Sequence, residues 1–405
     1  MVGSIVEEEL SKASIIKDEA KLSLDYVPTR LPHREEELRT LVRLFSSLVK
    51  TPGKIAPKVI IRGSIGTGKT ALSKRFGEDF EKYVRKRGLN LRFIHVNCRE
   101  EGSFFNILKG IITNTFEHGF PQRGYSSQEL LNILLEVLDR NRAYILIALD
   151  ELEDLIRKEG ADPLFCLTRV QESRPPSAQQ RVSLLCIFRD PECEEVYRLL
   201  DKSTQSTLGG NVVLLDKYTV DQLRDILEDR VKEAFLEDTV LPESLELIAD
   251  LAGKHGDARF AIELLWLSGK LADASNTSKL LPEHVRYAQT RTHPTLRVED
   301  LKLLRLHEKL LLLAVARGLR SEGTAYLSFG YVKESYRLVC EEYREKPRAH
   351  TQVWKYMKSL QVAGLLSAKI SGKGQRGKTT LIGLYAPSEK LEETLYKLLE
   401  VKRHG

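Results

Sequence analysis

Short apolar-rich stretches recur at Val59–Ile61, Leu91–Val96, Ala143–Leu149, Val182–Phe188 and Val212–Leu214. Between them lie longer stretches whose apolar residues keep helical spacing. Thr70–Arg85 carries Leu72, Phe76, Phe80 and Tyr83 in step, and Phe104–Phe116 and Gln128–Leu138 follow the same rule. Ser126 and Ser127 supply a capping hydroxyl ahead of the last of these. Strands that are apolar on both sides need cover on both faces. Their alternation with helices therefore predicts an α/β fold with a parallel sheet between two helical layers.

The pattern changes after Asp216. Val220–Arg230, Pro242–Ala252 and Ala258–Ala272 have helical spacing with no strand signal between them, so an all-helical domain is expected. Asn276–Ser278 and Thr292–Pro294 read as linkers. Beyond Leu301, helices are predicted over Leu306–Arg317, Val332–Tyr343 and Gln352–Ala363. Two strand-like segments follow, Leu365–Ile370 and Thr379–Tyr385, joined by the Gly-, Lys- and Arg-rich Ser371–Lys378. Three helices and a hairpin make a winged helix-turn-helix. The polar N-terminus reads as a loosely held arm. The expected organisation is an arm over 1–20, an α/β domain over 21–215, a helical lid over 216–295 and a winged helix over 296–405.

Composition narrows the picture. With 405 residues, 42% of them hydrophobic, the chain is long enough for several packed domains. The net charge of +6 is mild, so any nucleic-acid surface must be local. Cysteines at 98, 166, 186, 193 and 340 form no CxxC pair, which argues against a disulfide framework or a structural zinc site. There is no basic leader, and runs such as Tyr144–Leu149 and Leu310–Val315 are too short to span a bilayer. A cytoplasmic, nucleoid-associated protein is expected.

Gly63-Ser64-Ile65-Gly66-Thr67-Gly68-Lys69-Thr70, followed by Ala71, fits GxxxxGK[ST] between a strand and a helix. Such a loop turns its backbone N–H groups towards phosphates, Lys69 neutralises the β- and γ-phosphates, and Thr70 offers its hydroxyl to Mg²⁺. Asp150 and Glu151 end an apolar strand. Asp150 suits a Mg²⁺ ligand and Glu151 a group that polarises water, although acids also favour the start of any helix. Lys69, Asp150 and Glu151 are thus the catalytic candidates. Gly256-Asp257-Ala258-Arg259 places an Arg at a helix start, where it could read a γ-phosphate or simply face solvent. Near the C-terminus, Arg348, Thr351, Gln352 and Lys355 lie in or just before the third helix of the winged unit. Lys373, Arg376 and Lys378 crowd its hairpin tip. A recognition helix reads base edges from its first turns, and a basic tip follows phosphates or enters a minor groove.

Together these motifs resemble the archaeal AAA+ replication initiators, relatives of the origin recognition complex subunits and their helicase-loading partner. The resemblance runs from Tyr26 to the end. Leu31–Leu38, with His33 and Arg34, is similar to the family's adenine-lining segment. Gly63–Thr70 is similar to Walker A, Asp150–Glu151 to Walker B and Gly256–Arg259 to sensor 2. It implies an AAA+ base with a helical lid and a winged helix, using ATP or ADP with Mg²⁺. It also implies duplex origin DNA as partner, held by the winged helix and by a helical insertion that here contains Gln122, Arg123 and Ser126. Paralogous initiators and the replicative helicase are the implied protein partners. Two departures stand out. Arg189-Asp190 replaces the Asn-Asp usual at sensor 1, and Leu200–Leu208 lacks the Arg that often reaches a neighbour's nucleotide. Both point to a slow ATPase with the nucleotide mainly a conformational cofactor, and the first leans towards a divergent paralogue. The competing reading is a P-loop switch whose winged helix docks a protein. A hexameric remodelling motor fits less well, since neither a trans-acting Arg nor a pore loop stands out.

Overall fold

The computed structural model of the protein describes residues 6–7, 12–116, 124–172, 174–292, 298–370 and 379–400. It divides into two compact units: residues 25–222 with 255–259, and residues 1–24 with 223–254 and 260–405.

In the first unit, β1 (Lys58–Gly63), β2 (Leu91–Asn97), β3 (Tyr144–Asp150), β4 (Val182–Arg189) and β5 (Val212–Leu215) form one parallel sheet in the order β2-β3-β4-β1-β5. Alternate residues of β3 feed two cores, as the twofold period of a strand requires. Ile145, Ile147 and Leu149 face one helical layer, and Tyr144, Leu146 and Ala148 face the other. The longer helices of this unit are α1 (Glu35–Leu44), α2 (Lys69–Arg85), α3 (Phe104–Phe116), α4 (Ser127–Arg140) and α5 (Leu152–Glu159). Helix α1 has no counterpart in the sequence reading. Burial pushes the thiols of Cys186 and Cys193 up to about 12 and about 11.

The second unit joins the helical lid to the C-terminal domain. The lid comprises α6 (Val220–Ala234), α7 (Pro242–Gly253), α8 (Ala258–Ala274) and α9 (Pro282–Thr292). The described part of the N-terminal arm is not loosely held. Ile16 bridges Phe235, the Lys17 N–H donates to the Ala234 carbonyl at 2.8 Å, and Leu236 N–H donates to the Ile15 carbonyl at 3.0 Å. Ser14 Oγ reaches Asp273, and Glu19 accepts from both Trp266 and Lys270. Ile15 and Leu22 are buried beneath these polar ties, which corrects the expectation of a free arm.

The C-terminal domain is built on α10 (Leu306–Glu322), whose stretch Leu310–Ala316 is wholly buried. Around it pack α11 (Phe329–Glu342), α12 (His350–Val362) and a small antiparallel sheet of β6 (Leu327–Ser328), β8 (Thr380–Leu384) and β7 (Leu366–Ile370), in that order. Among the described residues three elements exceed the predicted three helices and hairpin: a short helix at Val298–Leu303, β6, and a closing helix α13 (Ser388–Glu400). Leu391, Leu395 and Leu399 of α13 close the core, and Arg317 and Arg320 of α10 pair with Glu392.

Polar contacts fasten the lid to this domain. Arg286 on α9 is 1% exposed, pairs with Glu283 at 2.9 Å, and donates to the carbonyls of Thr324 and Ala325 at 3.0 and 2.9 Å. Lys369 on β7 bridges Glu246 and Asp250 of α7, and Tyr326 donates to the same Asp250. Removing one member of a buried, hydrogen-bonded charge pair strands its partners. Arg286→Ala is therefore expected to destabilise the protein by about 3 kcal/mol, read from the denaturation midpoint of the full chain.

A second polar cluster, with His307 and Tyr336 buried and Arg348 at its surface, sits between α10, α11 and the start of α12. Arg348 Nε donates to His307 Nε2 at 2.9 Å, so the imidazole proton lies on Nδ1, 2.8 Å from Tyr336 Oη. Burial and then the Arg348 charge hold the His307 pKa below the ordinary 6.5, against the opposing pull of Glu345. The unfolded chain thus takes up this proton first. The stabilisation is complete above about pH 6.5 and fades as the pH falls below it. Urea unfolding at stepped pH should show that loss, and His307→Gln, which cannot protonate, should remove this component of the slope.

Candidate functional site

The sheet order places β4 between β1 and β3, so the C-terminal tips of all three meet at one edge. The loop after β1 reverses through Gly66 (φ 73°) and Gly68 (φ 88°), conformations that favour glycine. A Cβ at Gly66 would also lie 1.8 Å from Asp257 Oδ1, because Gly256–Arg259 packs directly on the loop. The Ala258 N–H donates to the Gly66 carbonyl at 3.0 Å, which fixes that approach. Within the loop, Thr67 is fully buried, and its Oγ1 donates to the Ser64 carbonyl at 2.9 Å. Ile65 is exposed, Ala71 half-buried in the first turn of α2, and Arg259 exposed.

Lys69 Nζ donates to the carbonyls of Gly63 and Ser64, both at 2.8 Å, so the ammonium lies inside the curl of its own loop. Burial draws its pKa below the usual lysine range, and the charges of Asp150 and Glu153 oppose that. Thr70 Oγ1 donates to Asp150 Oδ2 at 2.6 Å, and Glu151 N–H donates to Asp150 Oδ1 at 2.9 Å. His95 Nε2 on β2 stands 3.3 Å from Asp150 Oδ2, within ion-pair reach but not aligned as a hydrogen bond. Asp150 is only 4% exposed, and burial alone would raise its pKa. The contacts from His95 and Thr70 more than offset that and hold the carboxyl below the usual range. An ionised carboxylate and a hydroxyl therefore converge beside a half-buried ammonium, a set suited to phosphate and a hard cation.

Glu151 follows Asp150 with a left-handed backbone (φ 51°) at the start of α5. Its Oε1 accepts from Arg189 at 3.1 Å, and Arg189 Nε lies 3.5 Å from Glu153 Oε1. Glu153 is 1% exposed, and burial raises its pKa. Asp190 beside it is tied to Arg62 at 2.9 Å, and its N–H donates to the Gly63 carbonyl at 3.1 Å.

The two residues expected at the adenine side differ in placement. His33 has a left-handed backbone (φ 61°). Arg34 is buried, and its guanidinium donates to the carbonyls of Thr67, His33 and Asp216 and to Glu37, while lying over the Tyr218 ring at 4.1 Å. All its donors are engaged by the protein, so Arg34 is a brace behind the loop rather than a free ligand. His95, Tyr218 and Glu153 were missed by sequence reasoning, because no local motif marks them; Asp257 was legible only as a member of the Gly256–Arg259 motif, not as a contact of Gly66.

In the winged unit, Val353, Met357 and Leu360 turn one face of α12 into the core, leaving Thr351 and Lys355 exposed and Gln352 half-buried. Arg348 is exposed, but its Nε is committed to His307, which limits the reach expected of it. Ser126 is likewise engaged, in a capping box with Glu129: Ser126 Oγ lies 2.8 Å from Glu129 Oε2 and accepts the Glu129 N–H at 3.3 Å. Gln122, Arg123, Lys373, Arg376 and Lys378 lie outside the described residues.

Three family models match the chain. An AAA domain covers residues 56–209, a Cdc6 AAA+ ATPase-type lid domain covers 224–290, and a CDC6 C-terminal winged helix domain covers 299–394. The ORC1-type DNA replication protein 2 of Sulfurisphaera tokodaii is 33% identical, with 96% of this chain and 94% of that protein covered. The crystal structure of Cdc6p from Pyrobaculum aerophilum superposes with a TM-score of 0.83 at 33% identity, over 96% of this chain and all of that one. The Aeropyrum pernix ORC1 protein, solved in complex with DNA, gives a TM-score of 0.62 at 28% identity, over 97% of this chain and all of that one. The chain has an AAA+ parallel-sheet base, a Cdc6-type helical lid and a C-terminal winged helix, and it belongs to the ORC1/Cdc6 family of AAA+ DNA replication initiators.

Proposed function

We propose that the protein binds duplex origin DNA under the control of bound ATP or ADP and helps bring in the replicative helicase. The observation that carries the nucleotide part is the convergence of Lys69, Thr70 and Asp150 at the tips of β1 and β3. The curl of Gly63–Gly68, with Gly66 and Gly68 in left-handed conformation ahead of a long helix, suits a polyphosphate. In this reading Gly63, Ser64, Ile65, Gly66, Thr67, Gly68 and Ala71 form the phosphate cradle, His33 and Arg259 flank it, and Lys69 neutralises phosphate charge. Thr70 and Asp150 would hold Mg²⁺, which supplies charge neutralisation at the phosphates. Glu151 orients the attacking water and accepts its proton, while Asp150 stays ionised. Arg34 contributes by keeping the loop and Tyr218 in register.

Hydrolysis is slow in this reading, because Arg189 rather than an amide stands at the tip of β4. The DNA reading rests on the exposed Thr351–Lys355 face of α12, with Gln352 at its edge. Arg348 supports that helix start, and the basic tip residues Lys373, Arg376 and Lys378 would follow phosphates. Gln122, Arg123 and Ser126 would make the second contact from the AAA+ insertion. Paralogous initiators and the helicase enter as partners through the family alone.

Two outcomes test this. Lys69→Ala is expected to abolish binding of a fluorescent ATP analogue. Glu151→Gln should keep that affinity within about threefold while single-turnover hydrolysis drops by about 100-fold or more. A Glu151→Gln protein that hydrolyses normally would remove Glu151 from the chemistry. On DNA, Lys355→Glu and Arg376→Glu should each weaken binding to an origin duplex. Each should also flatten the plot of log K against log salt by about one unit for every phosphate that is no longer neutralised. Unchanged affinity in both would favour a winged helix that docks protein.

A further inference from the structure

We propose that Arg189 is a positioning residue that clamps Glu151 until a terminal phosphate competes for it: the guanidinium at the tip of β4 bridges Glu151 and the buried Glu153. This inference rests on Glu151 being the proton acceptor. The register puts Arg189 level with Gly63, between the strand that leads into the phosphate loop and the strand that ends in Asp150. The 3.1 Å bond to Glu151 Oε1 occupies an oxygen that an attacking water would otherwise use. Glu153 anchors the other side of the clamp. It is buried and has Arg189 Nε at 3.5 Å, so moving Arg189 out to solvent would strand a carboxylate. Glu151 is the more exposed partner of the two, and it begins a helix whose first turn contains Glu153.

The forked guanidinium suits a second kind of anion as well as carboxylates. The terminal phosphate of a nucleoside triphosphate competes for it, whereas a diphosphate offers no such group. The clamp therefore stays closed on ADP and opens by exchange of one anion for another on ATP. Glu151 is freed only in the state in which it has work to do. Departure from the amide usual at this strand tip then gives low basal turnover by occupying the base, not by weakening the phosphate loop.

The test uses the full chain with Arg189→Ala, Arg189→Lys, Glu151→Gln and the Arg189→Ala/Glu151→Gln pair. Single-turnover hydrolysis, affinity for fluorescent ADP and the melting temperature without nucleotide are read in parallel. Arg189→Ala is expected to hydrolyse ATP about tenfold faster with ADP affinity unchanged within about twofold. The double variant should show no acceleration. The two single substitutions should be non-additive in melting temperature by about 2 °C, the size of one partly buried pair in a domain of this length. Arg189→Lys, which keeps a charge for Glu153 but cannot fork to Glu151, should shift hydrolysis the same way, and it carries the test if the alanine variant does not fold. Hydrolysis unchanged or slowed in the Arg189 variants overturns the clamp, as does strict additivity of melting temperatures. A Glu151→Gln protein that hydrolyses at the wild-type rate, with the melting coupling intact, would instead sink the role of Glu151 and leave the ion pair standing.

Discussion

A parallel sheet whose interior is almost wholly apolar forces its chemistry to one edge. β3 is buried along its whole length, and its first charged residue is Asp150, at the tip. β1 likewise turns only after Gly63, and β4 ends at Arg189. Burial of both sheet faces in apolar cores leaves the C-terminal edge as the place where backbone N–H groups and charged side chains can gather. Everything said of Lys69, Thr70, Glu151 and Arg189 follows from that confinement. The strand order then decides which side chains become neighbours.

This explains what could be read from the sequence. The phosphate loop, the acidic pair after β3 and the exposed face of α12 are local patterns, visible because strand, turn and helix adjoin in the chain. The apolar strands were visible for the same reason. The pairings His95–Asp150, Arg34–Thr67 and Arg189–Glu151 were not, because they exist only once β2 has paired with β3, Leu31–Leu38 has folded under the loop and β4 has inserted between β1 and β3, respectively. The departure at Arg189 could be noticed in the sequence, but its partner could not. Helix α13 is a different case. Leu391, Leu395 and Leu399 carry the helical period in plain view, with Ser388 at its start, and the expected hairpin ending drew the reading short. The arm was misjudged because Ile15, Ile16 and Leu22 are too few to look like a core segment until the lid supplies Phe235 and the Ala234 carbonyl.

Polar side chains play two distinct parts in the second unit. Around His307 they set the entry to α12: a neutral imidazole accepts from Arg348 and meets Tyr336, which fixes where the helix begins. An Arg just ahead of a recognition helix is easily taken for a base or phosphate contact, and here one of its nitrogens faces inward. Thr351 and Lys355, set by the helical period against buried Val353 and Met357, keep the outward face.

The fastening of lid to winged helix reaches into how such a protein can be dissected or recombined. Arg286 caps two carbonyls that belong to the C-terminal domain, Glu243 receives the N–H of Ala325, and Lys369 on the wing strand is neutralised by α7. A fragment that starts at the linker after α9 inherits bare carbonyls and an unpaired lysine. The winged helix is therefore no detachable appendage: grafted onto another host, it would arrive without its ceiling, and its intrinsic behaviour is best judged on a piece that carries the lid along.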